Sequence, residues 1–121
     1  MKRILFIVNP KSAKGNEERI SKAISSRIDQ DVFEVSVAYT KSADHAINLS
    51  SKAVKDNIDI IVAVGGDGTV NEVASQMINT SATLGIVPLG SGNGLARHLG
   101  ISRNIEKAIE LISNQQTSTI D

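Results

Sequence analysis

The stretch Ile58 to Val64 is apolar almost throughout and rich in β-branched residues. Such a run reads as a strand buried on both faces, the kind that sits inside a parallel sheet with helices on either side. It runs directly into Gly65-Gly66-Asp67-Gly68-Thr69, and then into Val70, Val73, Ala74 and Met77 at helical spacing. A glycine-rich turn therefore stands at a strand-to-helix junction with an acid at its centre. Glycines let the backbone bend and let a bulky anion approach, and the first N–H groups of a helix have no partners inside it. An acid beside such a phosphate site makes sense if a cation bridges the two, or if a hydroxyl must be deprotonated. A purely structural alternative stays open: the glycines form a tight turn, and Thr69-x-x-Glu72 fits a helix capping box. The two readings are compatible, because a well-formed helix start is the better anion site.

Strand and helix patterns alternate along the rest of the chain. Ile4–Val8 reads as a first buried strand, and Ile20, Ala23, Ile24 and Ile28 mark one face of a helix. The mixed pattern from Val32 to Val37 predicts a second strand nearer an edge. Ala43, Ala46, Ile47, Ala53 and Val54 form a second helical stripe, punctuated by Asn57 before the strand Ile58–Val64. The next helix is expected to run from after Gly68 to about Ile78, and a strand at Thr83–Val87 to stop at Pro88. A glycine-rich loop, Gly90 to Gly94, leads into a short helix, and Ile105, Ala108, Ile109 and Ile112 give a final helical face. The order predicts an α/β fold, a three-layer αβα sandwich with a mostly parallel, Rossmann-like sheet, forming one domain over residues 1–121. Ligands in such folds bind at the carboxyl ends of the strands. The loops Asn9 to Gly15, Gly65 to Thr69 and Pro88 to Gly94 should gather there, with Thr40 beside them.

Composition narrows the chemistry. Aromatics make up only 2% of the 121 residues, so the core must be aliphatic and alanine-rich. Thirteen basic and thirteen acidic residues cancel, and no basic stripe with stacking aromatics marks a nucleic-acid binder. There is no cysteine, which excludes disulfides, thiol catalysis and cysteine-ligated metal. His45 and His98 are the two histidines, which argues against a zinc site; both read as surface or satisfied residues. The apolar run after Met1-Lys2-Arg3 is too short for a signal peptide, and no segment reaches the length of a membrane span. The expectation is a cytoplasmic protein.

Two familiar nucleotide motifs are missing. No G-x-x-x-x-G-K-[ST] run exists, and Asn71 stands where a dinucleotide fingerprint needs its third glycine. The loop Pro88-Leu89-Gly90-Ser91-Gly92-Asn93-Gly94-Leu95-Ala96-Arg97 is of another kind. Its alternating glycines leave little to obstruct a ligand, Ser91 and Asn93 offer hydrogen bonds, and Arg97 a charge partner; alternatively Asn93 is only a helix N-cap. The first loop offers Asn9, Ser12, Lys11 and Lys14 at a strand end, with the lysines either meeting phosphate or simply solvated.

Together these loops resemble the diacylglycerol kinase catalytic domain family, lipid kinases that include sphingosine kinases and soluble bacterial diacylglycerol kinases. Asn9-Pro10-x-Ser12 is similar to the family's first nucleotide loop, Gly65-Gly66-Asp67-Gly68-Thr69-x-Asn71-Glu72 to its signature, and Pro88 to Ala96 to its third motif. The third is in the Ser-Gly-Asn form more typical of sphingosine and ceramide kinases. The resemblance spans the whole chain and implies ATP-dependent phosphorylation of a lipid hydroxyl, such as that of diacylglycerol or a sphingoid base. It implies that Asn9, Pro10, Ser12, Thr40, Gly90, Ser91, Gly92, Asn93 and the stretch Gly66 to Glu72, including Thr69 and Asn71, contact the nucleotide. Gly65, Gly66, Asp67 and Gly68 would hold its phosphates. Asp67 would place Mg²⁺ or act on the acceptor hydroxyl; both roles stay open.

Members of this family carry a second, largely β domain holding the lipid pocket and a further catalytic acid. The chain ends at Thr119-Ile120-Asp121, where members cross into it. The resemblance therefore implies the nucleotide-binding half of a kinase, with little or no lipid kinase activity alone and any membrane contact peripheral, at the inner face. A face left without its neighbouring domain would also allow a homodimer. Two alternatives are kept. An NAD kinase shares the Gly-Gly-Asp-Gly turn, although its Asn-Glu pair lies further downstream than Asn71-Glu72 does here. The other is a non-catalytic nucleotide-binding module.

Overall fold

The computed structural model describes residues 1–42, 44–90, 94, 98, 100, 102, 104–114 and 118–119. The strand at its centre is β3 (Ile60–Gly65), buried along its whole length. It lies between β1 (Lys2–Val8) and β4 (Thr83–Pro88), and β2 (Phe33–Tyr39) lies outside β1. These strands run parallel, in the order β2-β1-β3-β4, with Val8 level with both Val64 and Tyr39. A two-residue strand, β5 (Ser118–Thr119), closes the β4 edge in the antiparallel sense.

Parallel neighbours need crossovers, and right-handed crossovers decide which face each helix covers. The chain steps outward from β1 to β2 and then back past β1 to β3. Accordingly α1 (Glu17–Arg27) covers one face, and α2 (His45–Lys55) and α3 (Asp67–Ser75) the other. The last helix, α4 (Ile105–Ser113), returns to the face of α1. The period-two alternation of the strands feeds both layers. Phe6, Val8, Val62 and Val64 pack with Ile20, Ile24, Ile109 and Ile112, while Ile7, Ile61, Ala63 and Ile86 pack with Val70, Val73 and Met77. This is the expected three-layer α/β sandwich with its aliphatic core.

The helical stripes read from the sequence are the buried ones: Ile20, Ala23 and Ile24 in α1, and Ile105, Ala108, Ile109 and Ile112 in α4. Asn104 caps α4, its Oδ1 accepting from the Lys107 N–H at 2.8 Å. The mixed strand is indeed at the edge, where Val37 and Tyr39 stand exposed.

Several boundaries differ from the sequence expectation, and β1 and β2 begin at Lys2 and Phe33 rather than at Ile4 and Val32. Ile58 is not in β3. It closes a Schellman cap on α2: its N–H donates to Ala53 O at 3.0 Å, and Asn57, left-handed at φ 60°, donates to Val54 O at 3.1 Å. The helix expected after Gly68 starts two residues earlier, at Asp67, and ends at Ser75 rather than Ile78. Of the second stripe, Ala43 lies outside the described residues and the helix begins at His45.

Gly85 lets α4 approach the sheet. A β-carbon there would stand 3.0 Å from Val62 Cγ2 and 3.3 Å from Ile112 Cγ1. Gly85→Val overpacks that contact and is expected to destabilise the fold by about 1–3 kcal/mol, read as a lower urea midpoint at unchanged slope. The two helices on this face are joined by Arg19, whose guanidinium donates to both Glu106 oxygens at 2.6 and 2.7 Å. That hydrogen bond holds the Glu106 carboxyl below its ordinary 4.5 and raises Arg19. A lowered carboxylate pKa adds stability above the ordinary value, lost as pH falls through the lowered one. Glu106→Gln is therefore expected to be slightly less stable than the parent at pH 7, a small gap because the pair is exposed, and one that closes as pH falls through the lowered value.

Candidate functional site

The sheet order creates one position where neighbouring connections leave in opposite directions, between β1 and β3. Open α/β sheets bind ligands at the carboxyl ends of the strands at such a switch point. The expected loops converge there because the backbone ladder continues past the strand ends. Asn9 N donates to Val64 O at 3.0 Å, Thr40 N to Val8 O at 2.9 Å, and Leu89 N to Gly65 O at 2.9 Å. The first residue after β1, β2 and β4 is in each case tied to the neighbouring strand.

The turn after β3 is short. Gly66 is extended (φ −86°, ψ −168°), α3 begins at Asp67, and the first helical bond runs from Val70 N to Gly66 O at 3.1 Å. Gly66 at the N-cap has no side chain, and among the described residues no side-chain hydrogen bond caps this helix start. The capping box considered above is not used, because Thr69 lies inside the first turn rather than at the N-cap. The N–H groups of Asp67, Gly68 and Thr69 precede the first helical bond, and the helix dipole adds a partial positive charge there. Asp67 and Gly68 are exposed while Thr69 is buried.

Gly65 is required by close approach. A β-carbon on it would lie 2.8 Å from Thr69 Oγ1 and 2.9 Å from Thr69 Cβ. Thr69 is thus seated on the glycine, and Asn9 Nδ2 donates to its hydroxyl oxygen at 3.2 Å. Asn9 Oδ1 accepts from the Lys11 N–H at 3.0 Å, so both ends of that amide are engaged. Asp67 is not idle either: its Oδ1 accepts from the Gly94 N–H at 2.7 Å, tying the turn to the third loop.

A pocket of about 310 Å³ opens beside the turn, at the small end of ligand-sized cavities. Its walls are Asn9, Pro10 and Lys11 from the first loop, Gly68, Thr69 and Glu72 from α3, and Thr40 with its neighbours Lys41, Ser42 and Ala46. Of the residues expected at the site, Asn9, Pro10, Thr40, Gly68, Thr69 and Glu72 therefore meet in one cavity. Gly65 and Gly66 form the turn itself, and Ser12 Oγ stands 4.0 Å from where a β-carbon on Gly66 would be. Asn71 is exposed and outside the pocket lining, and Gly90 is exposed at the start of the third loop. Ser91, Gly92, Asn93 and Arg97 lie outside the described residues.

Sequence reasoning missed Lys41, Ser42 and Ala46 as pocket residues. Their signal was positional: they follow Thr40 at the carboxyl end of a strand. Lys11 and Lys41 bring positive charge to the rim, both exposed. His45 is satisfied, its Nδ1 accepting from the Lys41 N–H at 2.9 Å. Among the described residues no three of His, Cys, Asp and Glu converge as a metal cage. A lone exposed carboxylate does fit Mg²⁺, which keeps most of its waters and is commonly held by one or two carboxylates together with substrate phosphates. Nor is any helix among them long and apolar enough to cross a membrane.

The sequence profile described as Diacylglycerol kinase catalytic domain matches residues 3–121. The chain is 35% identical over 124 residues to a diacylglycerol kinase of Bacillus subtilis, covering all of this chain and 41% of that protein. It is also 35% identical over 121 residues to a "Probable lipid kinase YegS-like" of Enterobacter, covering 97% and 40%. A crystal structure of a diacylglycerol kinase from Bacillus anthracis superposes with a TM-score of 0.82 at 30% identity, over 94% of this chain and 40% of that one. The chain thus spans about two fifths of the length of these relatives.

The contacts of the turn carry two expectations. Gly65→Ala drives a methyl group into Thr69 and should cost about 1–3 kcal/mol of unfolding free energy in denaturant titration. Asp67→Ala removes the acceptor of the Gly94 amide, whose proton resonance should move upfield with faster exchange, whereas Asp67→Asn, which keeps an oxygen there, should preserve most of both.

Proposed function

Since this chain belongs to the diacylglycerol kinase catalytic domain family, we propose that it forms the nucleotide-binding half of an ATP-dependent lipid kinase, one that transfers the γ-phosphoryl group to a lipid hydroxyl. The observation that carries this reading is the start of α3 at the β1/β3 switch point, uncapped among the described residues and opening beside a ligand-sized pocket.

Phosphoryl transfer asks a protein for positioning and charge neutralisation more than for covalent chemistry. The N–H groups at the Gly66–Thr69 turn are suited to receive phosphate oxygens. Lys11 and Lys41 at the rim add positive charge to draw a polyanion in. The cavity between Thr40, Ala46 and Glu72 has polar and apolar walls suited to the nucleoside part. In the reaction proposed, the lipid oxygen forms a bond to the γ-phosphorus, the bond to the bridging oxygen of ADP breaks, and the hydroxyl proton passes to a base. Asp67 is proposed to hold Mg²⁺ or to orient the hydroxyl, and its exposed position suits either role. Mg²⁺, when bound, would neutralise charge developing on the phosphates.

The choice of lipid, and a base able to complete transfer, are proposed to come from the part of the relatives' length that this chain does not span. Diacylglycerol and sphingoid bases are the acceptors to test first. A peripheral encounter of the complete enzyme with the inner face of a membrane, from the cytoplasm, belongs to the same proposal.

The test is calorimetric titration of ATP with Mg²⁺ into this chain. Binding is expected in the micromolar to millimolar range, about −4 to −8 kcal/mol, weakened about tenfold or more in Asp67→Ala as a charge-assisted contact is lost. No heat at millimolar ATP, or equal binding by the variant, would count against the site as described. Incubation with labelled ATP and diacylglycerol is expected to yield no labelled lipid from this chain alone. Labelled NADP formed from NAD by the longer enzyme would instead favour an NAD kinase.

A further inference from the structure

We propose that Asn9 is a positioning residue: it acts on the site through Thr69, fixing the first loop against the start of α3. This deepens the reading above and its binding arm rests on that reading. The resemblance alone implies a nucleotide contact for Asn9, which lines the pocket, and the hydrogen bonds add a role in holding Thr69.

Thr69 is one of two buried polar side chains among the described residues. The other, Ser50, is satisfied within its own helix, its hydroxyl donating to Ala46 O at 2.7 Å. Thr69 instead takes a bond from a different loop, the Asn9 Nδ2 donating at 3.2 Å across a sequence separation of 60 residues. A buried hydroxyl without a partner is costly, so the pair ties the side chain of the first loop to the first turn of α3.

The orientation of the amide follows from its other end. Lys11 N–H needs an acceptor, and Asn9 Oδ1 lies 3.0 Å away. With the oxygen committed there, the NH₂ group is the end left facing Thr69. Asn9 is itself anchored, because its backbone N–H donates to Val64 O at 3.0 Å and its carbonyl accepts from Ala13 N at 3.0 Å. On the far side, Thr69 packs against Gly65, filling the space a β-carbon there would take, 2.8 Å from Oγ1. The bond is therefore a strut between two fixed points. Asn9, Pro10 and Lys11 form one wall of the pocket and Gly68, Thr69 and Glu72 another. The strut sets the spacing of those walls and the alignment of the first N–H groups of α3.

The experiment is a double-mutant cycle on this chain: Asn9→Ala, Thr69→Val and the pair, with Thr69→Ser as the variant that keeps the hydroxyl. Titration with ATP and Mg²⁺ gives the first readout. Asn9→Ala is expected to weaken binding by about tenfold in the parent and in Thr69→Ser, but by about threefold or less in Thr69→Val, where no strut remains to lose. An equal factor in all backgrounds would overturn the proposal, because a direct contact to ATP does not depend on the Thr69 hydroxyl. Thermal unfolding without nucleotide gives the second. Asn9→Ala should lower the midpoint by about 3–6 °C more in the parent than in Thr69→Val. Equal drops overturn the strut itself. Coupling in unfolding with equal factors in ATP binding also overturns the proposal, since the bond would then be structural only. If the parent binds no ATP, the proposed function fails, and the unfolding cycle still decides whether Asn9 fixes Thr69.

Discussion

The burial of β3 on both faces is the constraint from which the rest follows. Its residues lie between helices on either side, so their backbone groups must be paired within the sheet and their side chains must fill both cores. A strand buried in this way cannot be an edge. It takes β1 on one side and β4 on the other, and each neighbour brings its own loop to the same end of the sheet. The turn at Gly65–Thr69 is thus flanked by two loops because its strand is central.

Small residues turn that arrangement into a site. Gly65 lets Thr69 fold back over the strand end, which starts α3 immediately and leaves its first N–H groups without partners inside the helix. Gly85 does the corresponding work in the core, where its missing side chain leaves room for Ile112. The polar side chains of the turn are held by neighbours: Asn9 by Thr69 and Lys11, and Asp67 by Gly94. A turn held in this way keeps the first N–H groups of α3 in place, so little rearrangement has to accompany binding of a multiply charged anion.

Much of the fold was legible in the sequence, for reasons that can be named. The stripes Ile20-Ala23-Ile24 and Ile105-Ala108-Ile109-Ile112 are amphipathic because each helix covers one sheet face, and the same periodicity marks both. The weaker alternation of β2 reflects an edge strand whose far half is uncovered at Val37 and Tyr39. The misreading of Ile58 has an equally plain cause: an apolar residue after a helix cap and one at a strand start look alike, and the left-handed Asn57 decides between them. Thr69 misled in a similar way, since a threonine three residues before a glutamate fits a capping box until Gly65 is seen to draw it into the first turn.

For the candidate site, the sequence by itself determined the residue types and their local setting: a glycine-rich turn between a buried strand and a helix, an acid within it, and loops following other strands. These are properties of neighbouring residues, and side-chain chemistry encodes them directly. The order β2-β1-β3-β4 was decided only by the tertiary structure, and with it the switch point between β1 and β3. Strands pair through backbone groups that every residue carries, so hydrophobic pattern says which faces are buried but not which strands are adjacent. The same holds for the bond between Asn9 and Thr69 and for the meeting of the segment after Thr40 with Gly68 and Glu72 across the pocket. Those contacts exist because packing brings distant segments together, and no local pattern records them.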